Sequence, residues 1–186
     1  MACTWAAIYS VHRLCDALEV IVGRPHSMGG STLSFAPQLA EAHGVRSLAE
    51  STEKLKRCVD DSTSRDLLFL AHNGPTGLGT RRTDIWGCDF RREEGDFGDE
   101  DLRLAIAHAV SRGKRVLAVI AGHMHHRLRG GGQRNWVTRQ DGILYVNAAR
   151  VPRIFEERGH VYHHHIDLRI EDGEAEAIEV LREAEL

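Results

Sequence analysis

Apolar and polar positions follow one rhythm up to Gly122 and a different one after it. Leu18–Val22, LEVIV, is a short apolar run closed by Gly23, Arg24 and Pro25, which predicts a strand; HSMGGS continues as a loop. Ser47 and Glu50 then form an S-x-x-E capping box. Val45, Leu48, Ala49, Leu55, Cys58 and Val59 fall on one face of the helix it opens, and DDSTS closes that helix. Residues 66–71, DLLFLA, predict a strand buried on both faces. A second helix carries Leu102, Ile106, Ala109 and Val110 on one face, with Asp99 as its cap and Gly113 just beyond its end. The run VLAVI, ending at Gly122, predicts a third strand. Beyond it the period is that of strands, at 135–138, 143–147, 161–170 and 175–181. The breaks fall at Gly130 to Gly132, Asp141-Gly142 and Asp172-Gly173, the last reading as a hairpin turn. The order is β-α-β-loop-α-β followed by antiparallel strands, which is an α/β class.

Composition narrows the picture. Hydrophobic residues make up 42 % of the 186 and charged residues 27 %, with a formal net charge of −3. This is a folded chain without the basic stripe of a nucleic-acid binder. Cys3, Cys15, Cys58 and Cys88 form no C-x-x-C pair, so reduced thiols are expected. No apolar run approaches the ~18 residues of a membrane span, and the first residues lack the features of a secretory signal. A soluble, intracellular protein is the expectation. The segment at 72–99, HNGPTGLGTRRTDIWGCDFRREEGDFGD, is too long and glycine-rich for a plain connection and predicts a functional or disordered loop.

Histidine is the unusual count, at 12. His72 follows one buried strand, in LLFLAHNGP. His123, His125 and His126 follow another, in AGHMHHRL. In an open α/β sheet, ligands gather beyond the carboxyl ends of the strands. Side chains at i and i+2 of an extended chain share a side, so His123 and His125 face one pocket with Met124 turned into the core. Gly122 allows a sharp turn there. Neutral imidazoles suit zinc, iron, manganese or nickel, and three can hold one ion with an open position. His126 faces either substrate or solvent. Asn147, Arg150 and Arg153 follow a strand end, where arginine either clamps a phosphate or orders the turn through ion pairs; Arg24 has the same two readings. Asn73 either joins the pocket or forms a turn with Gly74-Pro75. His163 and His165 lie on one side of a strand and His164 on the other.

Gly122-His123-Met124-His125 resembles the terminal G-H-x-H motif of calcineurin-like metallophosphoesterases. His72 resembles that family's isolated middle histidine. The stretches VGRPHSMGG, LAHNGPTGLG, GDFGD, GHMHHRL and LYVNAARVPRI stand in the order seen in a cyanobacterial and plant branch. The resemblance runs from Leu18 onward. It implies the C-terminal part of a four-layer α/β/β/α sandwich, with residues 1–17 a divergent segment and 18–186 a partial phosphoesterase domain. It also implies a divalent metal (Mn, Fe, Zn or Mg), with His72 and His123 on one ion and His125 on a second. A phosphorylated small molecule or other phosphoester is the implied substrate, contacted by Asn73, His126, Asn147 and Arg150. Neither nucleic acid nor membrane is implied. The plant branch points to a plastid; otherwise the cytoplasm is expected.

The departures are as specific as the matches. No D-x-H and no G-N-H occurs, and the Gly-Asp pairs at 95–96 and 98–99 come after His72 rather than before it. The family's bridging carboxylate is therefore missing, and neutral imidazoles do not offset the repulsion between two dications. One ion at most is expected here. Asp84, Asp89, Asp96 and Asp99 are available to swing in from the long loop, or else serve as caps and turns. The expected truncation leaves a sheet edge open, which a protein partner would cover. Two functional readings follow: a metal-dependent phosphoesterase, or a non-catalytic remnant that binds a metal, a phosphate group or a protein partner.

Overall fold

A computed structural model describes residues 6–184. The class is α/β, with a mixed sheet and a separate antiparallel sheet. The mixed sheet has the order β1-β2-β3-β4-β6-β5, where β1 is Ser10–Cys15, β2 Leu18–Val22, β3 Asp66–Leu70, β4 Arg115–Ala121, β5 Val137–Gln140 and β6 Ile143–Asn147. Strands β2, β3, β4 and β6 run parallel, and β1 and β5 flank them antiparallel. The second sheet is β7 (Ile154–Glu157), β8 (His160–Glu171) and β9 (Glu174–Glu183). The helices are α1 (Ala36–His43), α2 (Leu48–Asp61) and α3 (Glu100–Ser111).

Each face of the mixed sheet has its own core. On one face, Leu55 and Val59 of α2 and Leu102, Ile106 and Ala109 of α3 pack on Ile21, Leu67, Phe69 and Val119. On the other, Val20, Leu68, Leu117, Leu144 and Val146 meet Ile166, Leu168, Ile170 and Ala175 of the second sheet. The parallel strands are therefore buried on both sides, as their unbroken apolar runs demand.

Several local signals act as read. Ser47 Oγ accepts from Glu50 N–H at 3.1 Å. The Glu50 carboxylate reaches back to Arg46 N–H at 2.6 Å, one residue beyond the usual capping box. Asp172 and Gly173 both have positive φ, 51° and 77°, forming the turn between β8 and β9.

Other elements differ from expectation. Asp99 precedes α3 but makes no side-chain cap bond; its carboxylate is used elsewhere. β1 lies within the segment read as divergent and pairs with β2, so the expected open edge of β2 is covered. Residues 1–5 of that segment lie outside the described residues. α1, β1 and β7 were not foreseen, and β5 starts two residues later than expected. The long loop is a packed block, with Ile85, Trp86 and Cys88 almost fully buried. A Cβ on Gly74 would overlap the Trp86 indole, so only glycine lets the loop close there. Among the described residues, no helix is long and apolar enough to cross a membrane.

Candidate metal centre

The carboxyl ends of the parallel strands deliver the polar residues of interest to one edge of the sheet. Arg24 and His26 follow β2, His72 follows β3, Gly122 and His123 follow β4, and Asn147 ends β6. The backbone ties these ends together. His72 N–H donates to the Arg24 carbonyl at 3.0 Å, and the His72 carbonyl accepts Gly122 N–H at 2.9 Å. Ala148 N–H donates to the Ala121 carbonyl at 2.7 Å.

His72 Nε2 and His123 Nδ1 lie 3.1 Å apart. The His123 backbone is left-handed, with φ of 70°. Met124 N–H donates to the Gly122 carbonyl at 2.9 Å across it. This is an i to i+2 turn with positive φ at its centre, a rare and strained form for a residue with a Cβ. The stretch is thus turned rather than extended, but its expected partition holds. Met124 is buried in the core, while His123 and His125 line one cavity with His72. That cavity is about 420 Å³ and includes Val151 and Arg153. His125 is exposed.

The environment keeps the two facing rings neutral. Burial, then the neighbouring His72 and His125, push His123 down to about 4; a hydrogen bond with the Met28 backbone acts the other way. Burial, then His26 and Arg24, lower His72. Neutral imidazole is the form that ligates a metal. The two ring nitrogens lie at hydrogen-bond distance, 3.1 Å, and a small opening of the pair would place both on one ion at about 2.0–2.1 Å. The pair therefore fits a single divalent ion. Among the described residues, however, no three His, Cys, Asp or Glu side chains converge on one point.

The loop carboxylates are committed elsewhere. Asp84 accepts from Arg81 N–H at 2.8 Å. Asp89 pairs with buried Arg134 at 3.1 Å and accepts Arg129 N–H at 2.8 Å. Asp96 accepts from Thr76, Gly77 and Gly98. Asp99 is held by Arg24 at 2.9 Å and Ser27 at 2.6 Å. Burial, against the pull of Arg24, raises its carboxyl to about 6. Arg24 also meets Asp101 at 3.0 Å, and Ser51 hydrogen-bonds Asp101 in turn.

The residues expected to touch substrate divide. Asn73 is fully buried and donates to the Phe97 carbonyl at 2.7 Å and to Asp99 at 3.3 Å, bracing the loop. Asn147 is also fully buried. It donates to the Met124 carbonyl at 2.7 Å and the Ile85 carbonyl at 3.2 Å, and accepts Ala149 N–H at 3.0 Å, so it braces the histidine turn. His126 Nε2 donates to the Asn147 carbonyl at 2.7 Å, and its ring stacks on Trp136. Arg150 pairs with Glu179 at 3.4 Å and lies over Phe155. His126 and Arg150 line a separate cavity of about 700 Å³, which meets the first at Val151. His164 turns inward onto Glu179 at 2.9 Å, and His163 and His165 face the other way.

Sequence reasoning missed His26. Its ring lies 6.3 Å from that of His72, which lies 5.0 Å from that of His123. The available signal was its place after β2, matching His72 after β3 and His123 after β4. Compared with known proteins, the chain has no significant match to a family model, a curated protein or a solved structure.

Proposed function

We propose that this edge of the sheet is a metal-dependent phosphoester site, the C-terminal part of a calcineurin-like metallophosphoesterase centre. The observation that carries the reading is the His72–His123 pair, two neutral imidazoles 3.1 Å apart on adjacent parallel strand ends. A single divalent ion would supply Lewis acidity toward a phosphoryl oxygen and toward water. His72 and His123 hold it. Arg153 lines the same cavity, and no carboxylate pairs with it among the described residues. It is placed to offset phosphate charge. His125, exposed at the rim, reaches the incoming phosphoester. Asn147 and the γ-type turn hold the His123 ring in position.

A second reading has its own support. Among the described residues no carboxylate lines the cavity, and the four loop aspartates are engaged in structural bonds. A centre without an anionic ligand binds a phosphate group or a metal more readily than it turns over a substrate. Assaying aryl phosphate mono- and diesters with Mn2+ or Zn2+, wild type against His72→Ala, separates the two. Metal-dependent turnover lost in the variant supports the enzyme. Bound metal without turnover supports the binding protein. Well-folded protein that binds neither metal nor inorganic phosphate and shows no turnover rejects both.

A further inference from the structure

We infer that His26 supplies a third imidazole, beside His72 and His123, to a mononuclear site for a nitrogen-preferring divalent ion such as Zn2+ or Co2+. This rests on the metal site proposed above and goes beyond it, because His26 lies in neither histidine group that suggested that site.

Three neighbouring parallel strands, β2, β3 and β4, each end in a loop that brings one histidine to the same edge. The His72 ring neighbours both others, at 6.3 Å from His26 and 5.0 Å from His123, and the three do not converge on one point until the His26 side chain turns. His26 is exposed and makes no side-chain hydrogen bond with a described residue, so its ring is available. Its tilted contact with Phe35, at 5.6 Å, leaves the ring free to turn about its side-chain bonds.

The loop that carries His26 is firmly held. His26 sits between Arg24 and Ser27, which are 2 % and 0 % exposed. Arg24 meets Asp99 and Asp101, and Ser27 donates to Asp99. Pro25 fixes the backbone between them. A buried ion network is a costly way to secure a loop when an apolar contact would serve. Here it pins both flanks of this loop's solvent-facing histidine. Backbone pre-organised at this position leaves only side-chain rotation to bring the ring nitrogen to an ion already held by its neighbours.

Three imidazole ligands without a carboxylate favour Zn2+, Co2+, Ni2+ or Cu2+ over Mn2+ or Mg2+, which rely on oxygen ligands. The open cavity beside His72 and His123 leaves the fourth position to solvent or a phosphate oxygen.

The test is calorimetric titration of the full chain with Zn2+, wild type against His26→Ala, with Co2+ absorption as a second readout. His26 is exposed, so the variant keeps its fold, checked by circular dichroism. The expected result is one Zn2+ per wild-type chain and a loss of affinity of about 10–100-fold or more in the variant, since even outer-shell changes cost that much. The Co2+ bands should also shift. Unchanged affinity and bands in His26→Ala would overturn the inference and leave the His72–His123 site standing. No Zn2+ bound by folded wild type would overturn both.

Discussion

His123 carries two costs that an ordinary loop residue avoids: a left-handed backbone and a ring held neutral by burial. Such strain persists only where the surroundings enforce it. Asn147 does much of the enforcing, through its bond to the Met124 carbonyl. Asn147→Ala should cost about 3 kcal/mol, because it strands buried partners of three hydrogen bonds; urea unfolding of the metal-free protein checks this. The His123 ring also predicts a pH dependence. In the folded chain it stays neutral to about pH 4, whereas unfolded histidine takes its proton near 6.5. Its contribution to stability is present above about pH 6.5 and lost as pH falls toward 4. Asp99 opposes this. It is raised to about 6, so it gains a proton in the folded chain first, and acidification from about 6 toward 3.8 favours folding. Relative to His123→Ala, metal-free wild type should lose more of its urea midpoint between about pH 7 and pH 4.5. Equal losses in the two proteins would count against the neutral ring. At this scale, the sequence singled out His72 and His123 because each follows an apolar strand. It did not single out His26, a lone histidine in a polar loop. It also could not tell that Asn73 and Asn147 turn inward, since an asparagine suits a brace and a pocket equally.

Among the elements, the segment between β3 and α3 departs most from its sequence. Its glycines suggest mobility, yet they allow close approach, as at Gly74 under the Trp86 ring. Trp86 is 1 % exposed. Trp86→Ala should cost about 3–5 kcal/mol and open the exposed Arg81-Arg82 stretch to limited trypsin cleavage that wild type resists. The buried parallel strands and α2 and α3 were legible because long apolar periods and caps agree. α1 was not, although Pro37 and Gly44 mark its ends, because its eight residues bury only Leu39. β7 escaped because its connection to β8 uses Arg158-Gly159, with φ of 53° and 83°, where arginine is an unusual choice.

At the scale of the molecule, helices cover one face of the mixed sheet and the β7–β8–β9 sheet covers the other. The outward side of β8 carries His163, His165, Asp167 and Arg169, a solvated face. The parallel strands position the site, because four of them end at one edge and backbone bonds lock the ends. Metal binding should therefore stabilise the whole fold. Zn2+ at about 100 times its dissociation constant should raise unfolding stability by about 2.7 kcal/mol, and His72→Ala should abolish the increase. Scanning calorimetry with and without Zn2+ reads this directly.

The most direct test of the centre is anomalous diffraction from crystals equilibrated with Zn2+. One strong peak is expected at about 2.1 Å from both His72 Nε2 and His123 Nδ1. A zinc peak located only elsewhere, with those two nitrogens still facing each other and unliganded, would contradict it.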